Sequence, residues 1–278
     1  MTRPPEHRLS TPVLRVMLSD GILWLTKRDP ARRNGISLAM ADALMAAIEH
    51  ARGDPQVRAV VLDAEGGFHG SAVLVMELAD TPLHLTPEDF ARIEDIGHGL
   101  GDALWRLDKP VIGVAGAGAL GGGLELLMRC DFVYCTDGAQ FRLPEVNFGF
   151  VAAWGGTQFG GRLLALRRAQ EMLLLGDRLD GRQAAAEGLV TGSFTDKDAL
   201  DRHIGNVLTK LRQCSPASLA GTKRALRALW ERPLSEGLTI ERQSQMEALA
   251  TGDFRLGLQA AAAGMRYDFT AQAPVPRN

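Results

Sequence analysis

Two glutamates, Glu125 and Glu145, are the residues whose type and spacing best suit acid–base chemistry. They lie 20 positions apart (145 − 125), Glu125 just after the glycine run Gly121-Gly122-Gly123 and Glu145 just after a proline. A carboxylate accepts a proton and a carboxylic acid donates one, so two positioned glutamates can move protons on and off a substrate. The alternative is that both glutamates are solvated and the glycines only allow close packing.

The glycine run indicates a place where an oxyanion could bind. Residues 111–115 form a buried-strand pattern, and an apolar helix is predicted from 124 to about 130. The first N–H groups of a helix have no intrahelical partners and carry partial positive charge. Glycine has no Cβ, so a substrate oxygen can approach those N–H groups closely and be stabilised by them.

The elements around this stretch alternate between strand and helix. Strands are predicted at 13–18, 22–26, 57–63, 111–115, 132–135 and 189–194, and helices at 38–51, 81–107, 163–175 and 182–187. Strands separated by helices favour an α/β fold with a mostly parallel sheet and right-handed crossovers. We predict a disordered lead-in at 1–12, a core at 13–195 and a helical region at 196–278, whose last helix spans 254–265.

A second loop has the composition expected where backbone N–H groups face a ligand. It reads GFHGSA at positions 67–72 and follows the strand VRAVVLD. His69 lies in this loop and could act as a base, although a single loop histidine is more often incidental. A plain surface turn is an equally good interpretation of the composition.

The overall composition excludes several classes of protein. The 278 residues are 46% apolar and 23% charged, which is typical of a folded globular protein. A net charge of −2 gives no general attraction to nucleic acid or to an anionic membrane. No apolar run is long enough to span a bilayer, and three scattered cysteines predict reduced thiols in a cytoplasmic protein rather than a metal site.

Six motifs occur in order along the chain: DPARRNGISLAM, VVLDAEGGFHGSA, KPVIGVAGAGALGGGLEL, RLPEVNFGF, GGTQ and TKRAL. Each motif is weak alone, but their order and spacing together are strong. With these motifs, the chain resembles the crotonase, or enoyl-CoA hydratase/isomerase, superfamily over nearly its whole length.

The resemblance implies a spiral of ββα units with a helical C-terminal trimerisation region, assembled as a homotrimer or a dimer of trimers. It implies an acyl-CoA substrate, with no cofactor besides the CoA of that substrate. The N–H groups of Gly70 and Gly122 would form the oxyanion hole, and Glu125 and Glu145 would be the acid and base of a hydratase. Phe68, Ala72, Gly121 and Trp154 would contact the substrate.

Three departures from the family pattern leave alternatives open. The first oxyanion loop reads His-Gly-Ser-Ala-Val where relatives carry Ser-Ala-Gly-Ala-Asp, and Ala152-Ala153 replace a common Pro-Gly. A C-terminal lysine that often helps to hold CoA is missing. Both glutamates favour a hydratase; an isomerase, another enolate-forming enzyme or a non-catalytic acyl-CoA-binding homologue are the alternatives.

Overall fold

The computed structural model of the protein describes residues 6–78 and 84–276 and contains two sheets and a hairpin. The strands are β1 (Leu14–Ser19), β2 (Ile22–Lys27), β3 (Ala59–Ala64), β4 (Val111–Ala115), β5 (Gly118–Leu120), β6 (Phe132–Thr136), β7 (Gln140–Arg142), β8 (Arg178–Asp180), β9 (Gly192–Phe194), β10 (Met265–Asp268) and β11 (Ala273–Pro276). The main sheet has the order β1-β2-β3-β4-β6-β9. Only its β1–β2 pair is antiparallel, and the other pairs are parallel.

Helices connect these strands and form most of the C-terminal third. They are α1 (Leu38–Gly53), α2 (Ala72–Leu78), α3 (Pro87–Trp105), α4 (Gly122–Leu127), α5 (Gly156–Leu163), α6 (Leu166–Gln170), α7 (Gly181–Ala186), α8 (Lys197–Arg212), α9 (Pro216–Glu231), α10 (Leu234–Ala250) and α11 (Asp253–Ala262). Several begin at caps that their sequences predict. Ser37 accepts a hydrogen bond from Met40 N, and Thr86 forms a capping box with Asp89.

The second sheet is small and determines where the glycine run lies. It has the order β5-β7-β8, with β5 parallel to β7. The chain passes from β4 in the main sheet to β5 in the small sheet and then into α4. It repeats this path from β6 to β7 and on to a 3₁₀ turn at Glu145–Phe148. This is the predicted spiral of ββα units, so the predicted fold class is confirmed.

Apolar cores cover both faces of the main sheet, which explains why its central strands are continuous apolar runs. On one face, the sheet packs against α1, α3 and α4 in the larger core. On the other face, Leu200, Ile204 and Leu208 of α8 pack against Val61 and Ile112 in the sheet. Each face of the sheet is therefore fixed by helices, and the ends of its strands are free to carry chemistry.

The structure differs from the sequence-based predictions at several elements. Within the predicted disordered lead-in, His7, Ser10 and Thr11 hydrogen-bond to β1, with His7 N donating to Val16 O at 2.8 Å; residues 1–5 lie outside the described range. The predicted helix 163–175 is three short helical segments. The last helix ends at Ala262 rather than 265, and the chain then forms the β10–β11 hairpin. Helix α2 was not predicted, and residues 81–83 of the predicted helix 81–107 fall outside the described range.

Candidate active site

The junction between β5 and α4 has a backbone conformation that requires glycine. Gly121 has φ 56° and ψ −136°, in a region that side chains rarely adopt. A Cβ at this position would also lie 2.7 Å from Glu145 Oε1. The sequence therefore places glycine where the backbone turns sharply from strand to helix and passes close to a carboxylate.

The two predicted oxyanion-hole residues, Gly70 and Gly122, lie against each other. A Cβ on Gly70 would be 2.5 Å from Gly122 N, so only glycine permits this approach. Neither N–H donates a hydrogen bond to any residue in the described ranges, whereas the neighbouring N–H of Gly121 donates to Arg142 O at 3.0 Å. The structure thus brings together two uncommitted backbone donors, contributed by segments about 50 residues apart in the chain.

Glu125 lies one turn into α4 and is almost fully buried, with 3% of its surface exposed. Its Oε1 accepts a hydrogen bond from Gly156 N at 2.8 Å, which fixes the carboxyl group against the start of α5. Burial first, and then the nearby charge of Glu145, raise the pKa of Glu125 to about 8, although hydrogen bonds from the backbone of Gly156 and Trp154 oppose this. At neutral pH this glutamate is therefore mostly protonated.

Glu145 begins the 3₁₀ turn that follows β7 and faces the glycine run. Its Oε2 is buried and has no hydrogen-bond partner among the described residues. Burial raises the pKa of this carboxyl group too. Because Glu125 and Glu145 interact electrostatically, their protons are best assigned to the pair, and the pair holds at least one proton at neutral pH. An unpaired buried oxygen is available to bind a water or a substrate atom.

The predicted substrate-contacting residues divide into buried and exposed positions. Trp154 is 3% exposed, and its ring fills the space beside Gly122, where a Cβ would lie 2.7 Å from Trp154 Cε3. Phe68 is also buried, and its backbone pairs with β5 through bonds with Gly118 O and Leu120 N. Ala72, by contrast, is exposed at the start of α2.

A cavity of about 250 Å³ opens along the loop at Gly67–His69 and along β5, and neither Glu125 nor Glu145 lines it. It is lined by Phe68, His69 and the residues of β5, with Arg142 and Arg178 at the edge of the second sheet. Burial, followed by the charges of Lys27 and Arg33, lowers the pKa of His69, so this histidine is mostly neutral at pH 7. Its surroundings are therefore electropositive, which suits an anionic ligand group.

Two buried basic residues near the site were missed by the sequence analysis. Lys27 is 1% exposed at the end of β2, and Arg129 is 5% exposed just beyond α4. Arg129 Nη2 donates to Trp154 O at 3.0 Å, and its Nη1 lies 3.2 Å from Asp102 Oδ1. The sequence does contain a sign of their burial, because Lys27 and Arg129 each lie in an otherwise mostly apolar run, ILWLTK and LELLMRC.

Comparison with known proteins identifies the family. The profile of the family described as Enoyl-CoA hydratase/isomerase matches residues 18–272. The chain is 31% identical to the 2,3-dehydroadipyl-CoA hydratase of Escherichia coli (strain K12), over 86% of this chain and 91% of that protein. It is 30% identical to the mitochondrial enoyl-CoA hydratase of Pongo abelii, over 86% of this chain and 80% of that protein.

The fold is shared with solved structures as well. An enoyl-CoA hydratase from Bacillus anthracis superposes with a TM-score of 0.83 at 23% identity, covering 95% of this chain and 98% of that one. The profile match over residues 18–272 and the relative at 31% identity show that the chain belongs to the enoyl-CoA hydratase/isomerase family, within the crotonase superfamily.

Membrane-spanning helices and metal-binding clusters are both absent from the part of the chain that the structure describes. Across 6–78 and 84–276, no helix combines the length and apolar character needed to cross a bilayer. Within the same ranges, no group of three or more His, Cys, Asp or Glu side chains is arranged to hold a metal ion.

Proposed function

We propose that this protein is an enoyl-CoA hydratase, which adds water across the 2,3 double bond of a 2-enoyl-CoA thioester. The observation that carries the proposal is the pair of the buried Glu125 and the half-buried Glu145, beside the uncommitted N–H groups of Gly70 and Gly122. The hydratase names of the relatives at 31% and 30% identity support the same activity. The reaction needs no cofactor beyond the CoA that the substrate carries.

In this proposal, the thioester carbonyl oxygen accepts hydrogen bonds from the N–H groups of Gly70 and Gly122. Water attacks C3, and the electrons of the double bond move through C2 onto that oxygen to form an enolate. The two donors stabilise the negative charge where it develops. Protonation of C2 then returns the electrons and gives a 3-hydroxyacyl-CoA.

The glutamate pair supplies both proton transfers. One carboxylate accepts a proton from the attacking water, and the other glutamate, in its acid form, donates a proton to C2. The pair holds one proton before and after the addition, but on opposite glutamates, so that proton must return to the first glutamate, directly or through solvent, before the next turnover. The raised pKa values of both carboxyls favour this singly protonated state near neutral pH.

Four further residues shape the pocket in this proposal. Gly121 lets Glu145 approach the glycine run, and Trp154 supports Gly122 from the protein interior. Phe68 holds the first oxyanion loop on β5 through its backbone, and Ala72 lies exposed at the start of α2, where an acyl-CoA could contact it.

The test is turnover of crotonyl-CoA, followed by loss of the absorbance of its conjugated thioester. Glu125→Gln and Glu145→Gln keep the shape of each side chain and remove its acid–base function. Each is expected to lower kcat by at least about 100-fold, the scale of a lost acid–base group. Glu94→Gln, at an exposed position of α3, is the matched control and should retain wild-type turnover.

Product analysis separates this proposal from its alternatives. Chromatography and mass spectrometry should find a 3-hydroxyacyl-CoA whose mass exceeds that of the substrate by one water. A product of unchanged mass with a shifted double bond would instead indicate an isomerase. Wild-type protein that binds crotonyl-CoA and longer 2-enoyl-CoA esters without turning any over would contradict the hydratase proposal and favour a binding protein.

A further inference from the structure

Lys27 is a buried lysine without an acidic partner. It ends β2, is 1% exposed, and is among the largest fully buried side chains of the described residues. No carboxylate within those residues forms an ion pair with it. Its ammonium lies 5.2 Å from the centre of the Phe68 ring and 3.5 Å from the carbonyl oxygen of His69, a long hydrogen bond. Burying an unpaired lysine costs free energy, so the groups that Lys27 does contact are the place to look for its role.

The contact point is the first oxyanion loop, whose backbone hydrogen bonds can be traced group by group. Phe68 uses its N–H and its carbonyl to pair with β5. The carbonyl of Gly70 accepts from Ile36 N at 3.0 Å. The carbonyl of His69 accepts from Lys27. The N–H of Gly70 is left without a partner in the described structure.

The carbonyl of His69 and the N–H of Gly70 belong to the same peptide group. No cis peptide bond occurs in the described residues, so this peptide is trans, and its C=O and N–H point in opposite directions. Whatever holds the carbonyl of His69 on one side therefore determines where the N–H of Gly70 points on the other. Among the described residues, Lys27 is the side chain that contacts this carbonyl oxygen, at 3.5 Å.

We propose that Lys27 is a positioning residue that fixes the His69–Gly70 peptide so that the N–H of Gly70 faces the thioester oxygen. This inference rests on the proposed function, because it assigns that N–H to the oxyanion hole. The ammonium also polarises the peptide through its carbonyl oxygen, and a polarised peptide is a stronger N–H donor. Lys27 acts through the backbone and does not touch the substrate.

The charges around Lys27 agree with this role. Lys27 and Arg33 both act electrostatically on His69, and both are basic. Burial lowers the pKa of Lys27 to about 7, so its charge is only partly present in the free protein. An enolate forming on the far side of the peptide would favour the charged lysine, and the positive charge would grow as the negative charge develops.

The experiment measures polarisation of a bound thioester rather than turnover alone. Butyryl-CoA is saturated, so it cannot be hydrated, and isotope-edited infrared difference spectra report its carbonyl stretch. Hydrogen bonds from the oxyanion hole should lower that frequency in the wild-type protein. Lys27→Met, which keeps most of the side-chain volume, should reduce the shift, and Lys27→Gln, a neutral donor, should retain part of it. Lys210→Met, at an exposed site, is the matched control.

Kinetics with crotonyl-CoA add a second readout. A weakened oxyanion donor affects the transition state more than the bound substrate. Lys27→Met should therefore lower kcat by about 10- to 100-fold, less than complete loss of a donor, and leave KM within about twofold. The variant should fold, because it removes a buried unpaired charge, and near-ultraviolet circular dichroism checks this.

Each outcome bears on the inference separately from the proposed function. An unchanged carbonyl shift in Lys27→Met overturns the inference even if the wild type is an active hydratase, whatever happens to its kinetic constants. A wild-type protein that leaves the carbonyl stretch at its solution value, or does not bind butyryl-CoA, also overturns it. A reduced shift in Lys27→Met supports the inference even if no hydration is found, in which case only the hydratase proposal fails.

Discussion

The proton on Glu125 links the chemistry of the site to the stability of the fold. The pKa of Glu125 rises from an ordinary 4.5 when unfolded to about 8 when folded, mainly because of burial. The native state therefore binds this proton more tightly than the unfolded chain does. Between these two pKa values, the free energy of unfolding must fall as pH rises, since the folded protein bears the cost of a buried charge.

Glu125→Gln removes this dependence and should make the protein relatively more stable at high pH. Near pH 4.5 the Glu125 side chain of the folded wild-type protein is neutral. Its ionisation should therefore cause little difference between the free energies of unfolding of the two proteins. By about pH 8.5 the variant should have gained more than about 1 kcal/mol relative to wild type, because a shift of one pKa unit is worth about 1.4 kcal/mol. Urea unfolding of both proteins at several pH values measures the difference.

Glu94→Gln is the control for this comparison, because Glu94 is exposed on α3. Its stability should follow that of the wild type across the same pH range. If the difference between Glu125→Gln and wild type were constant from about pH 4.5 to 8.5, Glu125 would not hold a raised pKa in the folded state. The assignment of a shared proton to the glutamate pair would then be wrong.

At the scale of elements, the ring of Trp154 is a wedge between two helices. It fills the space beside Gly97 of α3 on one side and beside Gly122 of α4 on the other. Its carbonyl is held by the buried Arg129. The wedge thus links the position of α4, and with it Gly122 and Glu125, to the long helix α3. Small residues on both helices are what make room for it.

Gly97→Ala should disturb this wedge. A Cβ at Gly97 would lie 2.0 Å from Trp154 Cδ2, and the buried ring cannot move away without repacking its neighbours. We expect a loss of about 1–3 kcal/mol in the free energy of unfolding, the usual cost of overpacking a core. Trp154→Leu introduced into Gly97→Ala should recover part of that loss, which a double-mutant cycle measures.

Gly99→Ala is a matched control two residues along the same helix. A Cβ there would meet only Met45 Cε at 3.7 Å, an ordinary contact. Because alanine favours helix more than glycine does, this variant should be neutral or slightly more stable. Equal losses in the free energy of unfolding of Gly97→Ala and Gly99→Ala would show that the Trp154 ring does not limit the position of α3.

The strands of the main sheet, the longer helices and the glycine junction could be predicted because each leaves a local pattern. The three-residue strands β5, β7 and β8 of the second sheet were not predicted. Thr86-Pro87 marks the start of α3, and the small residues of the glycine run mark a close approach of backbone. The β10–β11 hairpin could not be predicted in this way. Its residues follow an alanine-rich helix, and Pro274 and Pro276 argue against a strand unless it lies at an edge, as β11 does.

The site was predicted less completely than the fold, for a related reason. Glu125 and the glycines follow local motifs, whereas Lys27 and Arg129 act through partners far along the chain. Lys27 contacts a carbonyl 42 positions away, and Arg129 contacts one 25 positions away. A charged residue in an apolar run is usually assigned to solvent, and only the folded structure identifies the backbone groups that these two side chains bind.

At the scale of the whole molecule, the C-terminal helices carry several large apolar side chains that are exposed to solvent. The exposed side chains lie on α9, α10 and α11: Leu226, Leu229, Leu234, Leu238, Met246 and Leu258. Leu234 alone is 76% exposed. Exposed apolar side chains concentrated on a few elements are a common feature of protein–protein interfaces. We therefore expect these helices to mediate the predicted self-association as a homotrimer or a dimer of trimers.

Leu234→Glu combined with Leu238→Glu should weaken this assembly without unfolding the subunit, since both side chains are largely exposed. Sedimentation equilibrium should give the wild type a mass of three or six times the 30.0 kDa chain. The double variant should sediment as smaller species at the same micromolar concentration, because burying two carboxylates at an interface is costly.

Ser235→Glu is the control variant. It adds charge to the same helix turn without removing an apolar side chain, and should perturb the assembly less. A wild-type protein that sediments as a monomer would contradict the expected assembly, and the exposed leucines would then need a different partner.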